Sequence, residues 1–338
     1  MKSSYSPVQF LKLLLLAVIM SGCATLHHPD VMPAAETNRY SEEVFYNDQG
    51  LKLFARTWNP EGTARANIVI LHGTALHSGI YEPVADKLTA AGYRVFAYDM
   101  QSWGRSQGKG ADGYVDNFDD YAKDLYRVLN KMRIRYPGTP NFVLGESLGG
   151  TVALYGVLKK QLWFDGIITS AAGYKPNPEV LGLRPPSFVS SMNMTLAKWA
   201  GQGTPNMPLL DANLGIRMVV ENDDLQAKLL ADPYVSHGWL PVAYGSTLAE
   251  ASEYIDEHLE DLNLPILLLQ GEHDMLVPVS SSQEIYDRCK SSIKHIDVYD
   301  SPHTVLLEKA QGQAVRDMVE FLNEVTGKGM VASRQNAL

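Results

Sequence analysis

The sequence predicts an α/β fold, a mostly parallel sheet with helices on both faces, and three observations predict it. Short continuous apolar runs, of the kind buried on both faces of a parallel sheet, alternate with segments of helical spacing. One such run, Phe142-Val143-Leu144, passes through Gly145-Glu146-Ser147-Leu148-Gly149 into a helix-like stretch. Finally, Asp274 and His303 each lie just past a later strand-like segment, at positions where such a sheet presents its chemistry.

The N-terminus stands apart from this alternation. Lys2 and Lys12 are its only charged side chains before Asp30, and Leu13 to Met20 form a short apolar core followed by Ser21-Gly22-Cys23. That core has the length and flanks of a signal-peptide h-region and is too short to span a bilayer comfortably, so residues 1–22 read as a signal peptide. Met20-Ser21-Gly22-Cys23 resembles the lipobox of bacterial lipoproteins, with methionine where leucine is usual. The resemblance implies lipidation of Cys23 and a lipid-anchored protein of the bacterial cell envelope. Ala24, where an aspartate would suggest retention at the inner membrane, favours the outer membrane, facing the periplasm. A plainly secreted protein and an uncleaved anchor are the alternatives. Residues 23–40, with Pro29 and Pro33, read as a polar tether whose histidines are incidental. Cys289 is then the one remaining cysteine, which excludes an internal disulfide.

The remaining elements follow in order. Glu42 to Tyr46 and Leu51 to Trp58 flank Asn47-Asp48-Gln49-Gly50, a hairpin signal. Asn67 to Leu71 is a buried strand ending in His72-Gly73-Thr74-Ala75; Tyr81 to Ala91 has helical spacing, with Gly92 as its stop. Tyr93 to Tyr98 is a strand, and Phe118, Tyr121, Leu125, Val128, Leu129 and Met132 mark an amphipathic helix. After the strand that enters the Ser147 turn come Gly166 to Ser170, Ile266 to Gln270 and His295 to Tyr299, which makes eight strands. A terminal helix is expected over Thr304 to Val325, and a disordered tail over 328–338. Residues 174–261 show no strand pattern but carry several prolines and four of the 12 methionines, so they read as a helical lid inserted into a core of 41–173 and 262–327. Its Phe188 and Trp239 either face a greasy substrate or fill the lid's own core. The net charge of −9, with no basic run, gives no reason to expect a nucleic-acid partner.

The Gly-x-Ser-x-Gly turn is a nucleophile elbow, in which a strand turns so sharply into a helix that the serine stands at the tip. Glycine and serine are common, so the turn needs partners to carry weight. A serine hydroxyl requires a base, usually histidine, oriented by a carboxylate. Ser147, Asp274 and His303 supply the set in the chain order this architecture uses. Glu272 and Asp300 compete as the acid; His273 competes as the base, but as a neighbour of Asp274 it would not easily reach Ser147. An oxyanion hole is expected from the backbone N–H of Leu148 and of Thr74, with His72 bracing the Thr74 loop and Asp99 and Gly104 shaping the next turn. No metal or cofactor is implied.

These residues carry a family resemblance over about Glu42 to Val325. His72-Gly73-Thr74-Ala75-Leu76-His77-Ser78-Gly79-Ile80-Tyr81 resembles the HGxGEHSxRY segment of monoacylglycerol lipases and lysophospholipases. Asp99 with Gly104-Arg105-Ser106 resembles their DxxGHGxS segment, and Gly145 to Gly150 their GxSxGG elbow, where plant members also have glutamate before the serine. The acid and base segments, Leu269 to Asp274 and Ser301-Pro302-His303, match as well, and Asp232-Pro233 falls where the family has a similar dipeptide. The resemblance implies an α/β-hydrolase fold and a serine hydrolase acting on carboxylic esters of monoacyl lipids. The departures, Ala75, Leu76 and Ile80 for glycine, glutamate and arginine, and Ser102 and Trp103 for the first glycine and the histidine of GHG, imply a different groove. An esterase for short or aromatic esters, or a catalytically silent envelope lipoprotein, are the alternatives.

Overall fold

A computed structural model describes residues 39–159, 164–177 and 205–335. Cys23, the signal peptide and nearly all of the tether lie outside the described residues, as does the part of the insertion holding Phe188.

Eight strands form one sheet in the order β1-β2-β4-β3-β5-β6-β9-β10. They are β1 (Tyr40–Tyr46), β2 (Lys52–Trp58), β3 (Asn67–Leu71), β4 (Arg94–Tyr98), β5 (Asn141–Glu146), β6 (Gly166–Ser170), β9 (Ile266–Gly271) and β10 (Lys294–Tyr299). The hairpin β1–β2 is antiparallel, and so is the β2–β4 pairing; all later neighbours are parallel. The Asn47 side-chain oxygen fixes the hairpin turn by accepting the N–H groups of Gln49 (3.0 Å) and Leu51 (2.9 Å).

The strands alternate between two cores. Ile68, Ile70, Phe142, Leu144, Leu267 and Leu269 face α1 (Glu82–Ala90) and the last helix, whereas Val69, Leu71, Val143 and Leu268 face α2 (Asp119–Arg135) and α3 (Leu148–Leu158). Helices therefore cover both faces, as the continuous apolar runs require. In α2 the acidic Asp119 and Asp120 open the helix and Arg133 and Arg135 close it, complementing its dipole.

Two expectations need correction. The insertion does contain strands: β7 (Pro208–Asp211) pairs antiparallel with β8 (Trp239–Pro241), around helices α4 (Ala212–Val219) and α5 (Asp223–Ala231). These strands are too short to show a period-two pattern, and their pairing is non-local. The next helix, α6 (Val242–His258), falls within the insertion by sequence but packs into the main core through Tyr244, Ala251 and Ile255. The terminal helix, α8 (Gln311–Gln335), begins later than Thr304 and runs on through residues expected to be a disordered tail. Its start is delayed because residues 304–308 are engaged with the insertion, as described below. Gly327 and Gly329 do not end it, since an interior glycine costs a helix only ~1 kcal/mol. Helix α7 (Val279–Arg288) lies between β9 and β10 and buries Ile285.

Candidate active site

β5 delivers Ser147 to a turn that only two glycines permit. A Cβ on Gly145 would lie 2.3 Å from the Gly149 carbonyl oxygen, and one on Gly149 would lie 2.2 Å from the Leu71 carbonyl oxygen on β3. Ser147 itself has φ 51° and ψ −114°, a left-handed φ that a residue with a Cβ adopts at a cost of ~1–2 kcal/mol. Three backbone bonds hold it there: its N–H donates to Ser170 O (2.9 Å), and its carbonyl accepts from Thr151 (3.1 Å) and Gly173 (3.0 Å). The side chain is half-buried at the tip of the turn, and Leu148 starts α3, so the Leu148 N–H has no intrahelical acceptor. The Thr74 turn lies beside the elbow, since a Cβ on Gly73 would come 3.7 Å from the Ser147 Cβ.

Asp274 and His303, from the loops after β9 and β10, meet in a buried pair. His303 Nδ1 lies 2.7 Å from Asp274 Oδ2. That oxygen also accepts the Gln270 amide (2.9 Å), and Oδ1 accepts the N–H groups of Leu276 (2.9 Å) and Val277 (2.8 Å). With its acceptor sites filled, the carboxylate has one orientation, and it directs Nδ1–H so that Nε2 is the basic atom. Ser147 makes no hydrogen bond to His303; such contacts commonly tighten only when substrate is bound.

The rival residues are elsewhere. His273 pairs with Asp300 (3.0 Å) on the exposed surface, and Asp300 also binds Lys309 (2.9 Å). Glu272 is exposed. His72 braces the Thr74 loop: Nδ1–H donates to Gly73 O (2.8 Å) and Nε2 accepts the Met100 N–H (2.9 Å). Burial pushes its pKa down to about 4, so it is neutral and unsuited to act as a base here. Asp99 accepts the N–H groups of Ser78 (2.8 Å) and Arg105 (2.8 Å), which joins the two turns.

Residues 62–310 match the model of the hydrolase family described as serine aminopeptidase, S33. The chain belongs to this family. It is 30% identical to the human monoglyceride lipase over 262 residues, 77% of this chain and 82% of that one. It is 28% identical to the monoacylglycerol lipase of Mycolicibacterium smegmatis over 288 residues, 83% and 96% of the two chains. The crystal structure of the Paleococcus ferrophilus monoacylglycerol lipase superposes with a TM-score of 0.68 at 25% identity, covering 81% of this chain and 99% of that one. The protein is thus an α/β-hydrolase and a carboxylic ester hydrolase, in agreement with the fold and family read from the sequence.

The places where this hydrolase departs from its family's motifs have structural consequences. Ala75 (φ 67°) and Ser102 (φ 68°) keep the left-handed backbone that glycine would adopt freely. Ser102 offsets the strain by donating its hydroxyl to Tyr114 O (2.6 Å). Trp103 is buried edge-on to Tyr244 (5.8 Å between ring centroids) and donates its Nε1–H to Tyr121 (2.9 Å). Tyr244 in turn bonds the Thr74 hydroxyl, so the wall beside the Thr74 loop is aromatic. Leu76 is buried among Ile216, Val220, Leu229 and Val235 of the insertion. Nearby, Ser236 N–H donates to Ala75 O (2.9 Å) and His77 pairs with Asp232 (3.1 Å). Burial works to raise the Asp232 pKa, but the Tyr234 N–H and His77 hold it below the usual carboxylate range. Thr304 donates to Val219 O (3.3 Å), and Glu308 Oε1 accepts the N–H groups of Glu221 (2.9 Å) and Asn222 (3.2 Å).

Two participants escaped the sequence reading. Gln270 is fully buried, with its amide shared between Asp274 and Val277 O (3.0 Å) and its oxygen accepting from Ser282 (2.7 Å). Its signal was a lone polar residue at the end of the apolar run Ile266 to Leu269. Glu146 is also buried and accepts the Tyr81 hydroxyl; burial raises its pKa to about 7, against the opposing pull of Tyr81 and His303.

Proposed function

We propose that this hydrolase cleaves the esters of monoacyl lipids, a monoacylglycerol or a lysophospholipid, through an acyl-enzyme on Ser147. His303 takes the serine proton and later activates the deacylating water, and Asp274 holds the imidazole and stabilises its charged form. The backbone N–H groups of Leu148 and Thr74 bind the oxyanion. The carrying observation is the buried Asp274–His303 pair (2.7 Å) at strand ends of the sheet whose elbow presents Ser147. The lipases similar to this chain support the choice of substrate.

A second reading, an esterase for short or aromatic esters, is favoured by the apolar surroundings of Leu76 and by the Trp103–Tyr244 wall. The deciding experiment is a hydrolysis panel on the full chain in detergent: long-chain monoacylglycerol and lysophosphatidylcholine against short p-nitrophenyl and feruloyl esters, with Ser147→Ala as control. Preference for the long monoacyl lipids supports the first reading and preference for the short or aromatic esters the second. Activity that survives Ser147→Ala refutes the nucleophile assignment, and no hydrolysis at all refutes both readings.

The lipobox-like Met20 to Cys23 supports attachment to the envelope by a lipid on Cys23, at the outer membrane and facing the periplasm. Cys23→Ser should move the protein from the membrane fraction to the soluble one. An unchanged distribution, or a Cys23 peptide without acyl mass, rejects the anchor.

A further inference from the structure

Glu146 is a carboxylic acid buried where an ordinary core would place an apolar residue, and the catalytic scheme above leaves it without a task. Its Oε2 accepts the hydroxyl of Tyr81, which is itself fully buried. The same Tyr81 oxygen accepts the N–H of Gly73 (3.0 Å), the residue before the oxyanion donor Thr74. A short chain of bonds therefore runs from the elbow, through Tyr81, to the oxyanion loop. It crosses between the adjacent parallel strands β5 and β3, whose own pairing ends at Leu71 and Gly145. Beyond that point no strand ladder joins the Ser147 turn to the Thr74 turn beside it, and this link does.

The geometry has a chemical logic. An oxyanion hole works only if its donors are fixed before the charge develops, and the two donors here come from different turns. Leu148 N–H moves with α3, whereas Thr74 N–H is carried by an irregular loop. A phenol that donates to a buried carboxyl oxygen is polarised, so its oxygen accepts the Gly73 N–H more strongly. Burial of Glu146 protects this relay from competition by water, which a lone surface hydrogen bond would face.

We infer that Glu146 is a positioning residue which, through Tyr81, holds the Gly73 amide and with it the Thr74 oxyanion donor in register with Ser147. The inference rests on the hydrolytic reading above for its consequence in catalysis, but the link itself is independent of substrate.

The test compares Tyr81→Phe, Glu146→Leu and Glu146→Gln in the full chain. Values of kcat are taken per serine titrated with a fluorophosphonate, so that misfolded molecules do not count. Displacing a donor without deleting it should lower kcat by ~10–100-fold with KM within about threefold, in both Tyr81→Phe and Glu146→Leu. Glu146→Gln, whose amide oxygen still accepts the Tyr81 hydroxyl, should recover most of the loss. The Tyr81→Phe/Glu146→Leu double variant should be no worse than either single one, since both break the same chain of bonds. Amide exchange at Gly73 should quicken at least about tenfold in Tyr81→Phe, while Ile68 to Leu71 keep their protection. Unchanged kcat per titrated serine in the two disruptive variants overturns the inference. So does a Gln variant no better than the Leu variant, or Gly73 exchange equal to wild type. If the wild-type chain hydrolyses nothing, the functional reading falls alone, because Gly73 exchange still decides whether the link exists.

Discussion

Replacing Gln270 with leucine should separate what holds the acid residue from what makes it useful. Leucine is no smaller than glutamine, so the change opens no large cavity and the polar terms dominate. The variant deletes a charge-assisted bond to Asp274 Oδ2, worth ~1.5–3 kcal/mol. It also strands the Val277 carbonyl and the Ser282 hydroxyl in the interior, each at ~1 kcal/mol or more. Together these put the loss of stability at ~3–5 kcal/mol. Asp274 nevertheless keeps three donors, Leu276 N–H, Val277 N–H and His303 Nδ1–H, so its orientation largely survives. The drop in kcat per titrated serine should therefore be only ~10-fold, in line with other groups that support a primary ligand. Urea unfolding with an unchanged m-value measures the first quantity, and fluorophosphonate-normalised turnover the second. A companion Gln270→Glu keeps the acceptor for Ser282 but sets a second carboxyl against Asp274, and should lose more activity than leucine at alkaline pH. A stability loss below about 1 kcal/mol in Gln270→Leu, or full turnover in Gln270→Glu at pH 8, would refute the reasoning.

Gly149→Ala should prevent folding or cost more than ~4 kcal/mol, since its Cβ would sit 2.2 Å from the Leu71 oxygen, whereas Gly138→Ala, with φ +77° but open space, should cost only ~1–2 kcal/mol in the same thermal assay. Asp124 lies buried beside Asn47, and burial raises its pKa from 3.8 to about 7. The native state keeps that proton longer than the unfolded chain, so the stability it confers is full below pH 3.8 and is lost as pH rises through about 7. Asp124→Asn should therefore gain on wild type by ~2–4 kcal/mol between pH 4 and 8, as read by urea unfolding at each pH; a pH-independent difference would count against this account. Glu308→Ala removes the acceptor of the Glu221 and Asn222 N–H groups, and should quicken amide exchange over 219–225 and lower kcat a few-fold; unchanged exchange would show that the contact carries no weight.

The parts of this molecule that could be read in advance are those where local chemistry and global fold agree. Asn67 to Leu71 and Gly166 to Ser170 are strands with the bounds expected, because an apolar run between turn signals has few other fates in so large a core. The elbow was legible because Gly145 and Gly149 answer a steric demand that no other residue meets. Asp274 and His303 could be picked from the chain order, but their separation from Glu272, Asp300 and His273 needed the fold, since all five sit at strand ends. What stayed hidden depends on pairs distant in sequence. The β7–β8 ladder joins segments that have no periodicity, and the late start of α8 follows from Thr304 and Glu308 binding the insertion. Glu146 reads as a motif variant until Tyr81 is seen beside it.

The fastening of the insertion at Thr304 and Glu308 has a consequence for timing. Both residues lie within five positions of His303, the base in the scheme proposed above, on the same short loop, and both hold residues 219–222 of the insertion. Moving that segment outward must either break three hydrogen bonds or drag the loop, and the imidazole with it, away from Asp274. Where the loop follows the segment, the Asp274–His303 pair is pulled apart, so opening on this flank and hydrolysis would exclude one another; where the three bonds break instead, the pair stays intact and the two would be independent.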